Sequence, residues 1–216
     1  MTSNIVIQEY LSAGKRLTPL KGKIPKLKKW TIQEVSDEKI LSHNGNIGMV
    51  IQDGFLVLDV DPKNGGEKSF EKLQDLLSKD LIPTVETPSG GRHYYMTLPN
   101  EFKSVSFRKT LEKEFKGIDF LTTGSQCVIV SSSTNKKLYE WTNGGLKEHE
   151  APIELLEIYA KDYRSDPNIS DLGDFEGLIS GSSSWTDQQV LDLLSKLDPS
   201  MPNDEWVRVG MALHDH

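Results

Sequence analysis

Cysteine is almost absent from this chain: Cys127 is the only one in 216 residues. A single thiol excludes an internal disulfide and any zinc knuckle or stem built on cysteines. In "SQCVIVS" it reads as a small buried strand residue, and the whole pattern fits a reducing, cytoplasmic compartment. Long apolar runs are missing too. None approaches the ~18 residues of a membrane span, so no membrane partner is expected. The N-terminus "MTSNIVIQEYLSAGKRL" lacks a charged region followed by a long apolar core, which argues against a signal peptide. Neither a Walker A spacing nor a dinucleotide-binding glycine fingerprint occurs. At 36% hydrophobic and 26% charged residues, the composition is that of a globular protein and not a disordered one.

Net positive charge is also lacking: the chain carries −7, which at first argues against nucleic acid. The charge is uneven, however. From Arg164 onward there are 3 basic and 10 acidic residues, which leaves residues 1–163 with 22 of each. Inside that balanced part, "GKRLTPLKGKIPKLKKW" holds seven basic residues and no acid between Lys15 and Lys29. Such a block is commonly a solvated face. Interleaved with Pro19, Pro25 and Trp30 it is no simple charged helix, so a phosphate-binding loop is an equal alternative.

The pattern predicts a helix over 3–13, capped by Ser3 and stopped at Gly14. Thr31 and Glu34 have capping-box spacing and predict a helix burying Ile32, Val35, Ile40 and Leu41. "NIGMVIQDGFLVLDV" predicts two strands joined as a hairpin at Asp53-Gly54. "GGEKSFEKLQDLLSK" places Phe70, Leu73, Leu76 and Leu77 at helical spacing. "TVETPSGGRHYYMTL" predicts two strands around Ser89-Gly90-Gly91, and "GIDFL" and "QCVIVS" two more. Hairpins rather than βαβ repeats make this an α+β domain with a mostly antiparallel sheet over residues 1–163. Residues 164–184, rich in Ser, Gly, Asp and Asn, read as a linker. Residues 185–216 read as the start of a short helical module, with Val190, Leu191, Leu194 and Leu197 on one face, then Trp206, Val209 and Leu213. Two such helices cannot bury a core alone, so a longer parent protein is expected.

Three short stretches could carry chemistry. "FLVLDVDPKNGG" ends its most apolar strand in Asp59 and Asp61, on one face and about 6–7 Å apart. Two ionised carboxylates so close repel and lose hydration, a problem a divalent cation removes. Alone, the pair is more often a turn with two solvated acids, because the pattern is common. "TPSGGRHYYMTL" brings Ser89, Gly90, Gly91, Arg92 and His93 to the start of a strand: glycines for close anion approach, then hydroxyl, guanidinium and imidazole donors for phosphate oxygens. An ordinary glycine hairpin explains that stretch equally well. "GIDFLTTGSQ" offers Asp119, on its own a usual turn or edge residue.

Taken together and in order, hhhDhD, SxxRH and hhD resemble the three motifs of the archaeo-eukaryotic primase superfamily, and most closely its bifunctional primase–polymerase domain. "LTPLKGKIPKLKKW", "NIGMVIQDGFLVLDVDPKNGG", "TPSGGRHYYMTLP" and "GIDFLTTGSQCVIVSSS…YEW" follow that domain's pattern over roughly residues 10–160. "LLSKLDPSMPNDEWVRVGMALHDH" is similar to the start of the helical module that often follows it. The resemblance implies an RNA-recognition-motif-like catalytic sheet with an N-terminal αβ unit beside it. It implies that Asp59, Asp61 and Asp119 ligate Mg²⁺ or Mn²⁺, and that Ser89, Gly91, Arg92 and His93 hold the triphosphate of an incoming NTP or dNTP, with His93 also among the catalytic residues. Lys23 is the single residue chosen from the basic segment for the same ligand or the template. Some relatives carry a zinc stem; none is expected here. Where many relatives have a glycine-rich stretch, this chain has "TTGSQCVIVSSS".

The activity implied is template-directed nucleotidyl transfer on single-stranded DNA in plasmid- or phage-type replication, beside a helicase. Two other readings share the residues: a replication-initiator module that binds single strands without synthesis, and a two-metal nuclease. A paired-histidine rolling-circle initiator is not expected, because His93 is followed by Tyr94 and Tyr95 and residues 1–163 hold no His-x-His.

Overall fold

The computed structural model describes residues 2–161; the expected linker and helical module lie outside them. The chain opens with helix α1 (Asn4–Ser12), which buries Ile7 and Tyr10 and ends before Gly14 at φ 70°. Strands β1 (Arg16–Lys21) and β2 (Ile24–Pro25) form a hairpin. Helix α2 (Asp37–Leu41) follows, then β3 (Ile47–Val50), β4 (Phe55–Val60) and helix α3 (Gly66–Gln74). Next come β5 (Val85–Glu86), β6 (Arg92–Thr97), β7 (Ile118–Leu121) and β8 (Gln126–Val128). Four two-residue strands, β9 (Ser133–Thr134), β10 (Lys137–Leu138), β11 (Glu140–Trp141) and β12 (His149–Glu150), precede helix α4 (Ile153–Tyr159).

The larger strands make two sheets. One has the order β2-β1-β3-β8, the other β11-β5-β6-β4-β7. Every pairing is antiparallel except that of β12, which runs parallel to the far end of β6. The fold is α+β with mostly antiparallel sheets, as the sequence suggests. The expected N-terminal αβ unit is there, but its sheet takes its fourth strand, β8, from far along the chain.

The pleat of β4 divides the interior. Phe55 and Val57 face one core, with Tyr95, Leu121, Met49 and Val128. Leu56, Leu58 and Val60 face a second, with Tyr94, Phe120, Leu73 of α3 and Leu155 and Leu156 of α4. Burying both faces of β4 accounts for its unbroken apolar run; it is an interior strand of its sheet, held by β6 and β7.

Three sequence expectations need correction. The strands flanking Asp53-Gly54 do not pair with each other. Both edges of β3 are taken by β1 and β8, and both edges of β4 by β6 and β7. The turn, with Gly54 at φ 77°, therefore carries the chain from one sheet to the other. Thr31 and Glu34 do not cap a helix: Ile32 is 71% exposed, and the helix starts only at Asp37. Asp37 and Glu38 supply the acidic first turn, and Ile40 is the buried anchor. Helix α3 stops at Gln74, leaving Leu76 exposed, because Gln74 turns its amide to the Leu81 N–H and the Lys79 carbonyl and closes the loop.

Candidate active site

The second sheet presents three chemistry-bearing side chains side by side. Antiparallel register sets Asp59 of β4 opposite His93 of β6 on one flank and opposite Asp119 of β7 on the other. Directly opposed residues share a face, and here it is the face toward the first sheet. His93 is 3% exposed, and its Nε2 lies 3.6 Å from Oδ1 of Asp59. Burial pushes the imidazole pKa down; Asp59 opposes that and Lys23 adds to it. His93 is thus a neutral ring at neutral pH, between Tyr95 and Tyr139.

Asp61 follows the strand at extended backbone angles and lines the same cleft as Asp59. Its carboxylate accepts the Lys63 N–H (3.1 Å) and the Asn64 side-chain amide (3.0 Å), capping the turn at 62–64. The backbone beneath it is held by glycines. The Asp61 N–H donates to the Gly117 carbonyl at 2.9 Å, and a Cβ on Gly66 would sit 2.5 Å from that same oxygen. Only glycine at position 66 lets these backbones approach so closely. Asp119 is pushed above the ordinary aspartate range, first by burial; Lys109 opposes this, and Asp59, Glu112 and Asp61 reinforce it.

The turn between β5 and β6 supplies the remaining groups. Ser89 Oγ lies 3.0 Å from Thr87 Oγ1, which accepts the Gly91 N–H. Gly91 serves packing: a Cβ there would meet the Val60 carbonyl at 2.5 Å. Lys23 enters from the first sheet, its carbonyl held by the Gln126 amide at 3.0 Å. Lys23, Ser89, His93, Asp59 and Asp61 thus line one cleft of about 130 Å³ between the sheets. Asp119 adjoins it through its register with Asp59.

Arg92 is not brought in. It pairs with Val60, one place along the pleat from His93, and so lies on the opposite face, 3.7 Å from Glu67 of α3. The expectation that Arg92 and His93 face one phosphate overlooked the period of two. Four other residues near the site carried no sequence signal. Gln126 and Tyr139 line the cleft, while Lys109 and Thr110 come from the irregular charged stretch, Thr110 bridging to Asp119. The Gln126 Oε1 and His93 Nδ1 atoms are buried without a hydrogen-bond partner.

The donor set suits a hard divalent cation. Asp59, Asp61 and Asp119 are oxygen donors; burial first, and then the charges of Asp59, Glu112 and Asp61, raise Asp119, and a cation would relieve that repulsion. Among the described residues no three His, Cys, Asp or Glu side chains already converge on one point. Asp61 uses its carboxylate as a cap, but keeps unused lone pairs. Asp59, Asp61 and Asp119 offer the carboxylate oxygens that a hard cation such as Mg²⁺ or Mn²⁺ takes. No helix among the described residues is long and apolar enough to cross a membrane.

The family model of the bifunctional DNA primase/polymerase, N-terminal domain matches residues 7–155, which takes in every residue of this cleft. No curated protein matches the chain. With the match spanning most of its length, the chain belongs to the bifunctional DNA primase/polymerase family, and its chemistry is nucleotidyl transfer.

Proposed function

We propose that this protein makes short primers on single-stranded DNA and extends them, in plasmid- or phage-type replication and alongside a helicase. The observation that carries this reading is the in-register row His93, Asp59, Asp119 beside a cleft that Lys23 and Ser89 also line. A row of acids next to phosphate donors suits a reaction in which a 3′-hydroxyl attacks the α-phosphate of a nucleotide. Bound Mg²⁺ or Mn²⁺ would supply a lowered pKa for that hydroxyl and neutralise charge on the leaving pyrophosphate. Asp59, Asp61 and Asp119 would hold the ions.

The remaining groups take the nucleotide. Lys23 brings a cation, Ser89 a hydroxyl, and His93 a neutral imidazole that adds no second positive charge. Arg92 we assign to tethering α3 through Glu67 and not to the triphosphate.

The test is an unprimed single-stranded template incubated with NTPs, dNTPs and Mg²⁺ or Mn²⁺. New, lengthening products support the proposal. Shortened template favours a nuclease, and binding with no product favours an initiator module. Asp61→Ala should stop synthesis while the fold persists; a variant that primes at the wild-type rate would overturn the metal assignment.

A further inference from the structure

Thr87 and Ser89 are shared by two hollows. One is the cleft over Asp59; the other is a larger open groove of about 660 Å³ on the β10–β11 side. Lys63, Lys136 and Lys137 line the groove. Among the described residues, none of these three lysines is in an ion pair. Glu86 and Glu140, opposed across β5 and β11, line it as well, so cations lead anions by one. Leu138, 49% exposed, adds an apolar surface.

Lys136 sits there at a conformational penalty. Thr134 pairs with Lys137, so the β9–β10 hairpin turns through Asn135 at φ 51° and Lys136 at φ 65°. This is a two-residue turn with both central residues left-handed, in which the second position favours glycine. Asn135 tolerates such angles; a lysine does so poorly. Strain kept at an exposed basic residue points to a use for its ammonium group.

We propose that this groove carries the phosphate backbone of the single-stranded template up to the cleft, with Lys63, Lys136 and Lys137 on phosphates and Leu138 against a base or sugar. The identity of the strand rests on the polymerase reading; the binding does not. A free triphosphate fits the groove less well, since its α-phosphate belongs beside Asp59 and it has no use for Leu138. Cations spread along an open groove, with an apolar contact beside them, match an extended strand whose charges repeat and whose bases are exposed.

The experiment is fluorescence anisotropy of a labelled oligothymidylate on the full chain, from 50 to 200 mM salt, with thermal melts of each variant. Three phosphate contacts account for a slope of about −2 in log K against log salt, so replacing all three lysines should remove a roughly 20-fold salt-dependent loss over that range. Lys136→Gly alone should weaken binding and flatten the slope by about 0.7 while leaving the melting temperature unchanged or higher. Glu140→Gln should tighten binding. Unchanged affinity and slope in Lys136→Gly and Lys137→Ala would overturn the proposal, as would a loss confined to the nucleotide KM. A wild-type protein that binds through these lysines yet elongates nothing would sustain the groove and sink the polymerase reading.

Discussion

Asp119→Asn should stabilise the metal-free protein and remove much of its response to metal. Asp119 lies half-buried opposite Asp59, and burial, Asp59, Glu112 and Asp61 all disfavour its charge, with Lys109 the opposing group. Like charges directly opposed across two strands destabilise by about 0.2–1 kcal/mol. Asparagine keeps the shape and removes the charge. For a domain of this size 1 kcal/mol shifts the melting temperature by about 2–4 °C, so a rise of roughly 0.5–4 °C is expected in EDTA at neutral pH. The sign follows from linkage. A folded-state pKa above the unfolded value of about 3.9 means that ionisation lowers stability as pH rises through that window, so the gain should fade in acid. With Mn²⁺ at a hundred times its dissociation constant, binding adds about 2.7 kcal/mol, and the wild type should melt several degrees higher. The variant should gain clearly less. Differential scanning fluorimetry with and without Mn²⁺ reads both effects. A variant that melts lower than wild type in EDTA, or keeps the full Mn²⁺ shift, would refute the reasoning.

Other expectations concern the scaffold and its buried groups. Gly66→Ala puts a Cβ against the Gly117 and Asp61 backbones, which cannot yield as a side-chain tip would. A loss of about 1–3 kcal/mol in urea unfolding is expected, with weaker metal binding because Asp61 moves. Burial pushes the Cys127 thiol up to about 12, so it should react with a thiol reagent at pH 8 about a thousandfold more slowly than in urea; equal rates would contradict its burial. The lowered pKa of His93 means that the unfolded chain takes up its proton first on acidification. Stability should therefore fall below about pH 6.5, and less so in His93→Gln.

Much of the site was legible because a strand's period is local. "FLVLDVD" puts Asp59 and Asp61 on one face by alternation alone, and the cleft has both. The same alternation sets Arg92 against His93, yet reading the motif as a block hid it. Which strands pair was not legible: an Asp-Gly turn specifies a local reversal, while the partners of β3 and β4 depend on segments up to about eighty residues away, such as Gln126–Val128. The contact of Gly66 with Gly117 is likewise non-local. Lys109 and Thr110 went unseen because they bridge to β7 from a stretch without periodicity.

The central claim is that Asp59 stands at the reacting centre of a polymerase. A 5′-labelled primer on a single-stranded template, given dNTPs and Mg²⁺ or Mn²⁺, tests it with wild type and Asp59→Ala side by side at matched folding by circular dichroism. The expected result is a lengthening ladder from the wild type and extension at least about a hundredfold slower from the variant. Extension by Asp59→Ala at the wild-type rate, or a primer that the wild type only shortens, would contradict it.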